Sequence, residues 1–306
     1  MDLYNLIAKM VTFVALMLVG YIGAHRGIFD RGFAKGLSTL TVNLLLSCTV
    51  LNSVLSDPPE LTGVQLWQTL LILTLMFVLA LLIGFIAVRA AGLNDENGAV
   101  TELLCGVMNS IFIGLPLLES LYGTTAVLYC ALSCIPFNLL LYTYGVWRLK
   151  KGMGTSSMRL KDALSVPLFA TLAALVIFIF EPPVPRMICE LIGSVSAATM
   201  PMSMIVIGAT LGGIPLIDAF KDKRVYYISF IRLIVCPAVT WLLFRLMTND
   251  VILLSTCVLL SACPSAVVIS VLALQYDYDA SYSSRGVLVT TVLSMITLPL
   301  WALLLG

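Results

Sequence analysis

The feature that most constrains this chain is a series of ten apolar runs, each long enough to cross a lipid bilayer. A membrane-spanning helix needs roughly 20 mostly apolar residues, because the hydrocarbon core of a bilayer is about 30 Å thick. Short polar connectors separate the runs, which cover residues 6–24, 37–55, 66–90, 99–121, 124–149, 163–180, 188–211, 225–247, 251–274 and 284–305. The sequence therefore predicts an all-α polytopic membrane protein with ten transmembrane helices.

The composition agrees with a chain that is surrounded by lipid. Of its 306 residues, 60% are hydrophobic and 11% are charged, whereas soluble domains carry about 25% charged residues. The mean hydropathy is +1.05. A formal net charge of +1 gives no basic field that would attract nucleic acid. The lipid bilayer is the expected surrounding, and no nucleic-acid partner is expected.

Lys and Arg residues fall in alternate connectors, which predicts an orientation because these residues are retained on the cytoplasmic side. The connectors after runs one, three, five, seven and nine carry basic residues. The opposite connectors hold only Arg186 among them. We therefore expect a multi-pass protein of the cell inner (plasma) membrane with both termini on the non-cytoplasmic side.

The longest connector, the basic segment 150–161, divides the chain into residues 1–149 and 162–306. Each part carries five of the predicted spans, so an odd number of crossings gives the two parts opposite orientations. Two five-helix repeats of inverted topology are the architecture of many secondary transporters, whose ligands bind near the bilayer midplane at broken helices.

Runs four and nine carry matching interruptions in their interiors. Run four contains Asn109 and the triplet Gly114-Leu115-Pro116, and run nine contains Ser261, Pro264 and Ser265. A proline lacks the backbone N–H, and its ring clashes with the carbonyl four residues before it. In hydrocarbon, freed backbone groups are tolerated only where they face protein or a watery cavity. We therefore predict that helices 4 and 9 are broken and that their breaks line one shared cavity.

The chemistry of such breaks predicts the class of substrate. The N-termini of half-helices carry partial positive charge and unpaired N–H groups, which suit an anion such as a carboxylate. The amide of Asn109 would face the same cavity. A small organic anion is therefore the expected substrate.

Three further polar side chains lie within the predicted spans, and the sequence allows two roles for each of them. Glu102, seven residues before Asn109 and on the same helical face, either accepts a proton on the cytoplasmic approach or pairs with a Lys or Arg near the interface. Arg232 either counters a substrate charge or extends its side chain to water. Asn138, near Pro136, either supports the broken helices or makes an ordinary interhelical hydrogen bond.

Three stretches of this sequence resemble the auxin efflux carrier family. The stretch MNSIFIGLPLLESLYG, residues 108–123, is similar to the family's fourth helix, with an Asn, a Gly-x-Pro-Leu and a final Tyr-Gly. The stretch SACPSAVVISVLALQYDYDASYSSRGVLVTTVLSMITLPLW, residues 261–301, resembles its ninth and tenth helices, and ATMPMSMIVIGATLGG, residues 198–213, its seventh. The resemblance covers essentially the whole chain, and the short central loop is similar to that of bacterial members.

The resemblance implies more than the residues do by themselves. It implies a scaffold of helices 1, 2, 6 and 7 that forms a homodimer contact, and a transport domain of helices 3–5 and 8–10. Helices 4 and 9 would cross at their prolines with the substrate beside them, and an elevator-like movement would give alternating access. By position, Asn109, the Gly114–Pro116 backbone and Pro264-Ser265 would line the site. Asn43 is given a minor role, because the proline that follows this Asn in family members is missing here.

Three functions remain open from the sequence. The first is a secondary carrier of small organic anions such as carboxylates, since bacterial members of the family carry malate, malonate and similar acids. The second is a sodium-coupled symporter of the bile acid type, in which carbonyl oxygens with Asn109, Asn138, Ser261 and Ser265 bind Na⁺. The third is a membrane sensor that binds ligand without transport. H⁺ or Na⁺ is a candidate coupling ion for either carrier.

Enzymatic chemistry is not expected. His25 is the single histidine and lies in a basic connector, so a histidine-based metal site or a Ser-His-Asp triad is excluded. The eight cysteines are scattered without zinc-binding spacing. The sequence lacks a phosphate-binding Gly-Lys-Ser/Thr loop. We therefore expect neither a metal nor another cofactor.

Overall fold

The computed structural model describes residues 3–55, 63–93, 97–152, 166–212, 219–276 and 278–305. Within these ranges the regular structure is helical, and the β-type pairing found is an isolated bridge between Met108 and Ser265. The predicted basic connector 150–161 lies mostly outside the described residues, as does the connector at 56–62.

The described α-helices are numbered here in chain order. They are α1 (Leu3–His25), α2 (Arg31–Leu40), α3 (Leu46–Leu55), α4 (Gly63–Ala90), α5 (Gly98–Gly106), α6 (Leu115–Leu140), α7 (Val146–Gly152), α8 (Val166–Phe180), α9 (Arg186–Ser196), α10 (Thr199–Gly212), α11 (Lys223–Phe230), α12 (Cys236–Phe244), α13 (Val251–Ala262), α14 (Val268–Gln275) and α15 (Ala280–Leu305). Short π-helical turns cover Thr41–Leu45, Ser110–Gly114, Leu141–Gly145 and Ile231–Val235.

Six helical stretches in the described residues are long and apolar enough to cross a membrane. They are Gly32–Leu55, Gln65–Ala90, Ser110–Lys151, Arg186–Ala209, Lys223–Phe244 and Ser281–Leu305. Three shorter apolar helices cover Val11–His25, Phe169–Phe180 and Val251–Ala262. The prediction of an all-helical polytopic membrane protein is confirmed. The count of ten spans, the inverted repeat and the orientation stay predictions.

The stretch Ser110–Lys151 is too long to be one span. Its 42 residues correspond to about 63 Å of helix, roughly twice the thickness of the hydrocarbon core. Gly123 interrupts it with a φ of 70° and a ψ of −154°, a conformation that is open to glycine because it has no Cβ. This position falls within the polar connector predicted between runs four and five.

Aspartates cap the first turns of four described helices, and at the start of α15 Asp279 accepts from the backbone N–H of Ser281 at 2.9 Å. The carboxylate of Asp30 accepts a hydrogen bond from the backbone N–H of Phe33 at 2.6 Å, at the start of α2. Asp222 and Asp250 do the same at the starts of α11 and α13, each at 3.0 Å. Such caps satisfy N–H groups that a helix leaves unpaired at its first turn.

A proline explains the π-helical turn Ile231–Val235. Pro237 cannot donate the hydrogen bond that would reach the carbonyl of Leu233, four residues before it. The indole N–H of Trp301 donates to that carbonyl instead, at 2.9 Å. The freed group is therefore satisfied by α15, as a backbone group within a membrane must be.

The chain divides into two compact units. The first contains Met1–Thr69, Ile111–Ile135 and Leu164–Gly213, and the second contains Leu70–Ser110, Pro136–Ala163 and Ile214–Gly306. Each unit draws helices from both sequence halves, so these units and the predicted repeats are different divisions of the chain. The assignment of residues 1–149 and 162–306 to two repeats stays a prediction.

Close packing of α1 against α10 holds part of the first unit together. A Cβ at Gly20 would overlap the carbonyl oxygen of Ile205, and one at Gly208 would overlap that of Met17. Small residues allow such close approach between membrane helices. In the same unit, the hydroxyl groups of Thr49 and Thr199 are 2.7 Å apart in a buried hydrogen bond.

Glycines also bring α4 against α5 in the second unit. A Cβ at Gly84 would lie 2.5 Å from the carbonyl oxygen of Glu102, and one at Gly106 would lie 3.0 Å from the Cα of Leu81. The absence of side chains at these two positions therefore sets the position of α5, whose C-terminal end forms part of the candidate site.

We expect the substitution Gly84→Ala to destabilise the protein, because the added methyl group meets backbone that cannot move aside. Overpacking of this kind costs about 1–3 kcal/mol, which lowers the Tm by about 4–10 °C. The matched control is Gly36→Ala in α2, where a Cβ would meet nothing within 4 Å and which we expect to be neutral or slightly stabilising. Thermal unfolding of the purified variants measures both, and equal Tm values would contradict the assignment of Gly84 to close packing.

Candidate functional site

Both predicted broken helices are interrupted, and the structure fixes where each break falls. α5 ends at Gly106, and Val107 is extended with a φ of −102° and a ψ of 118°. α13 ends at Ala262, Cys263 is extended, and the helix resumes at Val268. Pro264 therefore lies within its break, as predicted.

The location of the first break differs from the sequence prediction. Pro116 lies in the first turn of α6, after the π-helical turn Ser110–Gly114, and the extended residues are Val107 to Asn109. A proline is compatible with the first turn of a helix, where its missing N–H has no partner to lose. The helix is therefore broken before the Gly114-Leu115-Pro116 triplet and not at it.

The two breaks contact each other directly within the second unit. The backbone N–H of Asn109 donates to the carbonyl of Pro264 at 2.8 Å, and that of Ala266 donates to the carbonyl of Val107 at 3.1 Å. These bonds flank the antiparallel bridge between Met108 and Ser265. The interrupted segments thus satisfy part of each other's freed backbone. We call the segment Val107–Asn109 with Cys263–Ala266 the crossing.

Ser265 connects the crossing to two helices by hydrogen bonds. Its hydroxyl donates to the carbonyl of Leu104 in α5 at 2.6 Å. Its backbone N–H donates to the hydroxyl of Thr290 in α15 at 3.2 Å. The hydroxyl of Ser261 donates within its own helix, to the carbonyl of Val258 at 2.8 Å. Both serine hydroxyl protons are therefore used inside the protein.

Arg232 lies at the crossing, completely buried. Its guanidinium group donates to three backbone carbonyls, those of Cys263 at 2.9 Å, Cys105 at 3.1 Å and Ser261 at 2.6 Å. Cys105 belongs to the last turn of α5, and Ser261 and Cys263 belong to the end of α13. The positive charge therefore meets the negative ends of both helix dipoles. The alternative in which Arg232 extends to water is wrong.

These contacts change the expected character of the crossing. The sequence predicts that freed carbonyls face a cavity, whereas the structure pairs five of them. Those of Cys105, Ser261 and Cys263 accept from Arg232, and those of Val107 and Pro264 accept within the bridge. In the absence of water, pairing inside the protein removes the cost of an unsatisfied carbonyl.

Glu102 forms a second buried polar group, three residues before Cys105 in the same helix. The Nε of Arg148 donates to its Oε2 at 2.9 Å, and the hydroxyl of Tyr144 donates to its other oxygen. The Glu102 side chain is 0% exposed and that of Arg148 is 19% exposed. The alternative in which Glu102 pairs with a basic residue is confirmed.

The remaining predicted site residues, including the side chain of Asn109, are divided between the two units. Asn109 and Asn138 are buried in the second unit. Gly114, Leu115 and Pro116 are buried and belong to the first unit, as does Asn43, which is exposed in the π-helical turn Thr41–Leu45. The role of these residues in binding a substrate stays a prediction.

A cavity of about 290 Å³ lies in the second unit beside the Glu102 group. It is lined by Val78, Leu81, Leu82, Phe85, Leu140 and Tyr144. Tyr144 is the wall residue that also contacts Glu102, and the remaining lining is apolar. Residues of the crossing do not line this cavity, so it is an apolar space and differs from the polar pocket that the sequence predicts. Across the described ranges, no three His, Cys, Asp or Glu side chains converge to hold a metal ion.

Sequence reasoning did not find three residues of these groups. Tyr144 and Arg148 are four residues apart, a spacing that places both on one face of a helix. This spacing could have indicated that the two side chains share a buried acidic partner such as Glu102. Thr290 gave no comparable signal. Its contact with Ser265 spans 25 residues of sequence, and nothing near Thr290 indicates it.

The Glu102–Arg148 pair predicts an asymmetric response to substitution. Arg148→Met leaves a fully buried carboxylate without its cation, which costs about 3–5 kcal/mol. Glu102→Gln leaves an arginine that is partly exposed and can turn to water, so we expect a smaller loss. The double variant should be more stable than Arg148→Met alone. Thermal unfolding of all three measures the order, and a larger loss for Glu102→Gln would contradict it.

Comparison with known proteins supports a transport function. The model of the family described as "Membrane transport protein" matches residues 5–302, which is nearly the whole chain. A transporter of Methanothermobacter thermautotrophicus, described as uncharacterized, is 25% identical over 95% of this chain and 96% of its own. Another from Methanocaldococcus jannaschii is 26% identical over 95% of this chain and 96% of its own.

A third relative carries a more specific name. It is a protein of Rhizobium meliloti named "putative malonate transporter", which is 27% identical over 93% of this chain and 91% of its own. The family and these relatives are transporters and not enzymes. The chain belongs to this membrane transport protein family, the auxin efflux carrier family whose motifs it carries.

Proposed function

We propose that this protein is a secondary carrier of small organic anions such as carboxylates across the cytoplasmic membrane. The substrate binds beside the crossing, next to Asn109, Pro264 and Ser265 in the second unit, and the Gly114–Pro116 backbone keeps the binding role that the sequence predicts. Asn138 supports this region from α6, and Asn43 has a minor role.

The observation that carries this proposal is the buried positive charge of Arg232 at the meeting point of two broken helices. None of the ion pairs found in the described part of the chain involves Arg232, and its three hydrogen-bond partners are neutral carbonyls. An ionisable residue inside a membrane is costly and marks a functional site by default. Without this guanidinium group the two helix ends would present negative charge at the crossing, so Arg232 removes the repulsion that an anion would meet there.

The comparisons support the substrate class. The Rhizobium meliloti relative is named for malonate, a small dicarboxylate that carries the charge this site would attract. Malonate is therefore the first substrate to test.

The mechanism that we propose is alternating access by an elevator-like movement. It rests on the resemblance to the auxin efflux carrier family, with scaffold helices 1, 2, 6 and 7 that also form a homodimer and transport helices 3–5 and 8–10. The division of the chain into two compact units matches these domains only in part, because the unit boundary cuts through helices 4 and 5, which the resemblance assigns to the transport domain. The first unit holds the four scaffold helices together with residues 111–135.

The driving force does not require a second ion. A membrane potential supplies about 2.3 kcal/mol per charge per 100 mV, which is enough to move an anion outward. Proton coupling through Glu102 is the alternative, and it would require that the buried contact with Arg148 opens during transport. A pH dependence of uptake that survives in Glu102→Gln would exclude that route.

We expect proteoliposomes that contain the purified protein to take up radiolabelled malonate, and Asn109→Ala to reduce the initial rate about tenfold or more. Loss of a buried hydrogen-bonding amide costs about 1–3 kcal/mol, and 1.4 kcal/mol is a factor of ten. Asn249→Ala is the matched control, because Asn249 is exposed in a connector. Both variants should keep the wild-type elution profile in detergent.

Two results would count against the proposal. Binding of malonate without flux, by isothermal calorimetry on the same preparation, favours the membrane sensor. Unchanged flux in Asn109→Ala, with unchanged malonate affinity, removes Asn109 from the site.

A further inference from the structure

The proposed function uses the charge of Arg232 but does not explain why its guanidinium group is held by backbone carbonyls. Three carbonyl oxygens from two different helix ends converge on one guanidinium group, at 2.6, 2.9 and 3.1 Å. The side chain is completely buried, and it comes from a third segment, the π-helical turn Ile231–Val235.

A cluster of carbonyl oxygens at the ends of broken helices has the chemistry of a cation site. In secondary transporters, unwound backbone carbonyls and the C-terminal ends of half-helices coordinate Na⁺. The negative ends of α5 and α13 are such ends. A planar guanidinium with five N–H donors in a fixed fork can serve several such oxygens at once.

We propose that the guanidinium of Arg232 is the resident cation of the crossing, and that it takes the carbonyl-lined position that a metal cation would otherwise occupy. The positive charge that compensates the two helix ends is then covalently attached to the protein. Anion transport consequently needs no Na⁺ at this position. This inference rests on the proposed carrier function and separates it from a sodium-coupled symporter.

The hydrogen bonds of the carbonyl oxygens at the crossing agree with this assignment. The carbonyls of Val107 and Pro264 accept hydrogen bonds within the bridge. The hydroxyl of Ser265 is engaged by the carbonyl of Leu104, and that of Ser261 by the carbonyl of Val258. The carbonyls freed at the crossing therefore already accept hydrogen bonds from protein N–H groups, whereas the two serine hydroxyls act as donors and keep their oxygen lone pairs.

The first test uses the wild-type protein. Its Tm in detergent, and its malonate uptake in proteoliposomes, should be the same when Na⁺ is replaced by N-methylglucamine at constant ionic strength. A rise in Tm with Na⁺, or uptake that depends on an inward Na⁺ gradient, would overturn the proposal. The thermal measurement needs no substrate, so it gives a result even if malonate is not transported and the proposed substrate class fails.

The second test separates the charge of Arg232 from its volume. Arg232→Gln should lower the Tm by about 10 °C or abolish folding, because the carbonyls lose their cation. Arg232→Lys keeps a positive charge with three N–H donors and should recover a measurable part of the Tm. The matched control Arg245→Gln removes an exposed arginine at the end of α12, and we expect it to leave the Tm unchanged.

The second test is decided by comparing the Tm of Arg232→Gln with that of Arg232→Lys. If Arg232→Lys is as unstable as Arg232→Gln, the charge is not what the crossing requires, and the proposal fails. If Arg232→Gln melts like the wild type, the carbonyls do not need a cation, and the proposal fails as well. Should neither variant fold, the comparison of Na⁺ with N-methylglucamine on the wild type still decides it.

Discussion

A backbone carbonyl that is freed inside a membrane must find a donor within the protein, and the guanidinium of Arg232 is that donor for both broken helices. It binds the carbonyls of Cys105, Ser261 and Cys263, so one buried side chain joins the C-terminal ends of α5 and α13. Arg232 is completely buried, so bulk water does not reach these groups. The crossing therefore depends on one buried guanidinium group with three hydrogen bonds, together with the short bridge between Met108 and Ser265.

Two further contacts away from the crossing also bring helices together. Pro237 frees the carbonyl of Leu233, and the indole of Trp301 satisfies it. Gly84 lets α4 approach the backbone of α5 at Glu102. In both places a residue from another helix completes the irregular or crowded segment. Side chains from distant parts of the chain, Arg232 and Trp301, supply the hydrogen bonds that these interrupted helices lack.

Sequence reasoning identified many of the elements of the site but not how they interact. Asn109, Ser261, Pro264 and Ser265 fall at or next to the breaks, because an interrupted apolar run is visible in the sequence. The sequence prediction placed the first break at Pro116, C-terminal to its true position, because a proline is a known helix-breaking residue and Val107 is not. A proline marks where a helix cannot continue, but the π-helical turn Ser110–Gly114 separates Pro116 from the extended residues. Glu102 had two readings, and only its distance to Arg148 selected the paired one.

The sequence by itself determined that this chain is a helical membrane protein, because apolar runs of bilayer length have few other stable structures. It also determined the family, through motifs that lie along nearly the whole chain. Only the tertiary structure decided what the buried charges do. The contact between Arg232 and Cys105 joins residues 127 positions apart, and no local pattern encodes such a distance. Hydrogen-bond partners are chosen by how helices pack, and packing depends on the whole set of neighbouring side chains at once.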